Sequence, residues 1–308
     1  MLNRRLWLAG TALPAAAGAA PPFALAHTET QVLASARLGR RYPVHLSWPQ
    51  ERPAKPLPVV LVLDGESAFP WLHSVCGFMR RHAKGTGLGD FLLVGLGYAE
   101  GDSGMQSRRR DYTPWPNPQA PAGSQADDFG GGPAYAEHLQ AELLPWLAQR
   151  GGGPAYAEHL QAELLPWLAQ RGGDPARRVL MGHSFGALLG AWLAVHRPED
   201  FPDLVLSSPS LWFARHRLLQ EAQALKGGQA AGRMFLGAGS FEARKAGDAR
   251  FNEEVDMVAD LQRFSQSLRR AGGPRLQLRS QVQAGHDHAT AMLGTYTEAL
   301  RWLLPRKA

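Results

Sequence analysis

Gly182-His183-Ser184-Phe185-Gly186 sets one hydroxyl between two glycines. Arg178-Val179-Leu180-Met181 before it reads as a buried strand, and the small-residue run from Ala187 as a helix. A strand that turns sharply into a helix needs small residues two positions either side of its apex. Such a turn holds the serine clear of the sheet, at the positive end of the following helix. The chemistry implied is nucleophilic attack by Ser184, with the Phe185 N–H aimed at a developing oxyanion.

A serine hydroxyl needs a base, and the base needs an acid to orient it. His286 and His288, in Gly285-His286-Asp287-His288-Ala289-Thr290, lie after the last strand candidate, and spacing does not choose between them. The acid is expected after the preceding strand, which points to Glu242, with Asp256 and Asp248 as fallbacks. A loop after Leu63 is expected to supply the second oxyanion donor from Gly65 or Glu66, with Asp64 as its turn former. Two histidines one residue apart are weak as metal ligands, and no phosphate-binding glycine loop is present. No metal or other cofactor is expected.

The elements that must position these groups alternate strand and helix, which predicts an α/β protein with a largely parallel sheet. Val32–Arg37 and Tyr42–Trp48 read as an opening antiparallel pair. Val59–Leu63, Phe91–Gly95, Leu204–Leu206, Met234–Gly237 and Leu276–Val282 read as further strands. Glu253–Arg270 and Thr290–Leu304 read as helices. One domain, residues 27–308, is expected.

Residues 130–150, GGGPAYAEHLQAELLPWLAQR, recur identically as 151–171. Each copy predicts a helix with Tyr135, Leu139, Leu143, Trp146 and Leu147 (or their equivalents) on one face. Only one can fill a slot built for one helix. The second copy, joined to the next strand through Gly172-Gly173-Asp174, is expected to dock, with the first as an extra helix outside an intact site. Near-identical flanks leave the reverse open.

Residues 1–26 carry Arg4-Arg5, an apolar stretch and Ala24-Leu25-Ala26, the pattern of an export signal cleaved before His27 and similar to a twin-arginine signal. A periplasmic or secreted protein is therefore expected, without a membrane partner once the signal is removed. Net charge is +6 and no basic stripe interleaves with aromatics, so nucleic acid is not an expected partner. The single cysteine, Cys76, excludes an intrachain disulfide and reads as a buried apolar side chain.

These landmarks resemble one family. Leu38-Gly-Arg-Arg-Tyr42, Leu63-Asp-Gly65, Arg110-Asp-Tyr-Thr-Pro114, the Ser184 pentapeptide, Ser208-Pro-Ser-Leu-Trp-Phe213 and Asp287-His-Ala-Thr290 are similar to the esterase D-like family. That family includes periplasmic esterases of catecholate siderophores. The resemblance implies the α/β-hydrolase fold and hydrolysis of a small-molecule ester through an acyl-enzyme. An acyltransferase, a sugar-linked acetyl or feruloyl esterase, or an inactive binding protein are the alternatives. It favours His288 over His286, because relatives follow the base with a small residue and then Ser or Thr, and it supports Glu242. It also implies that Arg110 either meets substrate or pairs with Asp111, and that Trp212 either walls the pocket or packs beneath it.

Overall fold

The computed structural model describes residues 24–49, 57–144 and 173–306. Most of the expected export signal, the end of the first repeat copy with Trp146 and Leu147, and the whole second copy lie outside them.

Eight strands form one sheet in the order β1-β2-β4-β3-β5-β6-β7-β8. The opening hairpin, β1 (Thr28–Ser35) and β2 (Arg40–Ser47), is antiparallel, and β2 also runs antiparallel to β4 (Leu92–Leu96). From β4 onward the sheet is parallel, through β3 (Leu57–Val62), β5 (Gly173–His183), β6 (Asp203–Ser207), β7 (Gly232–Gly239) and β8 (Leu276–Gln283).

Among the described residues, eight α-helices connect the strands: α1 (Gly65–Arg81), α2 (Ala83–Thr86), α3 (Gly104–Tyr112), α4 (Gly132–His138), α5 (Phe185–His196), α6 (Phe213–Gln223), α7 (Met257–Gly272) and α8 (Ala291–Leu303). The central strands read as unbroken apolar runs because both faces are covered. On β3, Val59 and Leu61 join the core beneath α4, α5 and α7, whereas Val60 and Val62 join the core beneath α1 and α8. Cys76 of α1 is fully buried in the second core, and burial pushes its thiol up to about 12.

The start of the first repeat copy lies in the core, whereas the expected docking of the second copy falls on residues outside those described: α4 and its π-helical continuation, Leu139–Leu143, bury Tyr135, Ala136, Leu139 and Leu143. Its entry is held by the chain just before it. Gly131 N–H donates to the Arg110 carbonyl at 2.8 Å and Gly132 N–H to that of Thr113 at 2.9 Å. Glu142 then accepts from the Ser35 hydroxyl, from Arg37 N–H at 2.9 Å and from His138 Nδ1 at 2.7 Å, tying the helix to the β1–β2 turn. Both copies carry the same apolar positions in sequence, and the first is fixed at its entry by these bonds.

Candidate active site

Ser184 stands between the end of β5 and the start of α5 with φ 58° and ψ −117°, a conformation costly for a residue with a side chain. The turn closes only because its flanks are bare. A Cβ on Gly182 would lie 2.4 Å from the Gly186 backbone. Ser184 N–H donates to the Ser207 carbonyl at 3.0 Å, and its Oγ lies 3.4 Å from the Ser210 hydroxyl.

Glu242 follows β7 in a short 3₁₀ turn, Ser240–Glu242, and is 2% exposed. One oxygen accepts from the Ser208 hydroxyl at 2.6 Å and from Gly239 N–H at 2.7 Å. The other lies 2.5 Å from His288 Nδ1. The carboxylate thus accepts a hydrogen bond from Nδ1–H and leaves Nε2 of the imidazole as its basic nitrogen.

Two loops must meet for this, and they are sewn together. Phe241 N–H donates to the His286 carbonyl at 3.0 Å, and Gly285 N–H to the Ser240 hydroxyl at 2.9 Å. Only a glycine fits at 239, where a Cβ would sit 2.2 Å from the His286 carbonyl oxygen. His286 therefore contributes its backbone, and its buried Nδ1 has no hydrogen-bond partner. The fallback acids are occupied elsewhere: Asp256 caps α7 through Ala259 N–H at 2.8 Å, and Asp248 pairs with Arg250 at 2.8 Å.

His183 lies against the same imidazole, its ring centroid 4.6 Å from that of His288. Burial, then His288 and Arg108, push its pKa down to about 3, so it is neutral at any working pH.

Phe185 opens α5, and Gly65 and Glu66 open α1 directly after β3. First-turn N–H groups of a helix have no partner within it. Two positive helix ends therefore meet at the carboxyl ends of the neighbouring strands β3 and β5, where ligands of open α/β sheets bind. Asp64 sets the start of α1 with left-handed φ 57° and ψ 48°. The Glu66 side chain is turned to the Tyr98 N–H at 2.7 Å.

Ser184 and His288 divide a cleft in two. One cavity, of about 370 Å³, is walled by Ser210, Trp212, Asn252 and Glu254. The other, of about 350 Å³, is walled by Asp64, Ser67, Tyr98 and Arg108. Trp212 therefore lines the site, with Phe185 behind it at 6.2 Å between ring centroids.

Of the two expectations for Arg110 the structure shows the ion pair: it is held by Asp111 at 2.8 Å, and also by Asp102 at 2.7 Å, and lines neither cavity. Arg108 is the arginine that faces the site, its Nε 2.9 Å from Asp64 Oδ1, which also accepts from the Tyr98 hydroxyl at 2.9 Å. Burial raises the Asp64 carboxyl above its ordinary value, against the lowering pull of Arg108 and Tyr98. Asp64 is thus more than a turn former, because its carboxylate positions the cavity's cation. Residues two apart on a helix point about 200° apart, so the run Arg108-Arg109-Arg110 signalled that one member could face inward without saying which. Among the described residues, no three His, Cys, Asp or Glu side chains gather as a metal site.

With this geometry in place, comparison with known proteins is informative. A siderophore triacetylfusarinine C esterase of Aspergillus fumigatus is 30% identical over 210 residues, 66% of this chain and 62% of that protein. The ferri-bacillibactin esterase BesA of Bacillus subtilis is 24% identical over 210 residues, 66% of this chain and 65% of its own length. The chain thus aligns with less than two thirds of each of these relatives. Among solved structures, the BES protein of Bacillus cereus superposes with a TM-score of 0.71 at 23% identity, over 92% of this chain and 98% of that one, which shows the shared α/β-hydrolase-like fold. The family model described as "Putative esterase" matches residues 35–152 and 148–289, so that each repeat copy falls in one of the two matched stretches. With that model spanning most of its length, the chain belongs to this esterase family, related to siderophore esterases.

Proposed function

We propose that the protein is a serine hydrolase of carboxylic esters that acts through an acyl-enzyme on Ser184. The carrying observation is the buried Glu242 hydrogen-bonded to His288 Nδ1, with His288 and the strained Ser184 lining the same two cavities. His288 Nε2 takes the Ser184 proton as Oγ attacks the ester carbonyl. Charge develops on the carbonyl oxygen, where the Phe185 N–H and the first amides of α1, Gly65 or Glu66, stabilise it. The tetrahedral species collapses as His288 protonates the leaving alcohol. Water, activated by the same imidazole, then releases the acid and restores Ser184.

The substrate class we propose is a siderophore ester, of the catecholate lactone type first. Support comes from the relatives' activities and from a cleft with room on both sides of the serine. Arg108, with its guanidinium 5.9 Å from the Phe185 ring centroid, is suited to an anionic or electron-rich aromatic group on one side. Trp212 offers an apolar wall on the other. We place the reaction outside the cytoplasm, on the export pattern of residues 1–26.

The test is turnover of p-nitrophenyl butyrate and of a catecholate trilactone, with labelling by a fluorophosphonate. Wild type should turn over both and be labelled. Ser184→Ala should lose at least about a thousandfold in rate and all labelling, with its unfolding temperature retained. Undiminished turnover by that variant would remove Ser184 from the chemistry.

A further inference from the structure

The far end of α1, about 25 Å from its first turn, carries a second site of a different kind. Arg80, Arg81, His82, Lys84 and Arg306 surround a cavity of about 460 Å³. Among the described residues, the single carboxylate within ion-pair reach of these groups is Asp90, 3.7 Å from Arg80 Nε. Arg81, Lys84 and Arg306 have none among the described residues.

The ordinary explanation for basic residues here is the negative end of a helix, and the structure weakens it. Two of the terminal carbonyls of α1 are already taken: His82 N–H donates to those of Phe78 and Met79, and the Thr86 hydroxyl donates to that of Met79 at 2.7 Å. Arg80 is largely buried, with its guanidinium 4.4 Å from the Phe91 ring centroid, and its buried Nε makes no hydrogen bond. Burial lowers the pKa of this guanidinium, while Cys76 and Asp90 act to raise it. Among the described residues, charge gathered at this density faces one carboxylate, an arrangement that favours an anion in the cavity.

We propose that this cavity binds a phosphate monoester group, whether free or carried on a lipid headgroup. Arginine forks match the oxygens of a tetrahedral oxyanion, and Lys84 supplies a point charge. Phe78 is 56% exposed and its ring lies 4.5 Å from that of His82. It places an apolar surface beside the cations, as an amphiphile would need. The cavity lies at the opposite end of α1 from the Ser184 cleft, so its occupant leaves that cleft open.

The test pairs calorimetric titration of phenyl phosphate with sedimentation on phosphatidylcholine vesicles, with and without phosphatidic acid. Arg81→Ser/Lys84→Ser is compared with Lys226→Ser/Arg244→Ser, which removes equal charge elsewhere, and with Arg306→Ser alone. p-Nitrophenyl ester turnover reports that each variant folds. The expected result is binding by wild type and the control pair, with at least a tenfold loss in the cavity double variant. Binding of phenyl phosphate identifies a free ligand as sufficient, and binding only to phosphatidic acid vesicles identifies the lipid-borne group. Absence of binding to both probes overturns the proposal. So does binding that survives in the Arg81/Lys84 and Arg306 variants, or that falls equally in the control.

Discussion

At the scale of single residues, the site is organised by one buried carboxylate. Glu242 keeps three hydrogen bonds at 2% exposure, two to fixed protein donors and one to His288. Replacing it with glutamine retains the shape but offers an amide N–H or a neutral oxygen to the imidazole, which disturbs its tautomer. Glu242→Gln should lower kcat by about 10²- to 10⁴-fold with little change in KM for p-nitrophenyl butyrate. A loss below about threefold would show that Ser184 and His288 work without the acid. Arg108 makes a different prediction, because it faces the cavity and not the proton relay. Arg108→Gln should raise KM about tenfold, some 1.4 kcal/mol, for a catecholate ester. It should leave the acetate ester of p-nitrophenol nearly unchanged. Equal effects on both esters would assign Arg108 to the fold through Asp64.

At the scale of elements, the helices matter by where they begin. α5 and α1 start at the ends of adjacent strands, and so two helix N-termini and the serine turn share one point. The repeated segment matters by which copy reaches the core. α4 packs Tyr135 against Tyr42 and Tyr112, at 5.6 and 5.7 Å between ring centroids, and Glu142 holds the β1–β2 turn. Deleting either copy yields the same 287-residue protein, on the order of one helix shorter, in which the slot is still filled. That version should unfold within about 3 °C of the full chain and retain its ester turnover. A collapse in both, measured by thermal melting and kinetics, would mean that residues 151–171 carry part of the fold.

For the molecule as a whole, one sheet separates two cores, and the site lies on the edge where both end. Its acid sensitivity follows from a group in neither core. His183 is neutral in the fold, with a pKa near 3, and has an ordinary value of 6.5 when unfolded. Between those values the unfolded chain binds the extra proton, so stability falls as pH drops from 6.5 towards 3. His183→Asn removes that linkage. Between pH 7.5 and 5, wild type should lose about 2 kcal/mol more than the variant in urea unfolding. Parallel losses would show that His183 is solvated or already charged.

Ser184 and the strand and helix around it were legible in the chain, because a tight turn demands glycines at fixed offsets and buried elements leave apolar runs. The strand order was not, since hydrogen bonding between β2 and β4, with β3 beyond, depends on contacts far apart in sequence. The choice of His288 came from a family likeness, and the structure adds why His286 differs: its carbonyl is spent on the Phe241 N–H. Arg108 escaped because its partner, Asp64, is 44 positions away, and helical phase alone does not say which arginine of three looks inward. The repeat shows the same division most plainly. Two identical segments carry identical propensities and identical apolar faces in sequence, whereas the hydrogen bonds to Arg110, Thr113, Ser35 and Arg37 that hold the first copy are ones only a folded chain can supply.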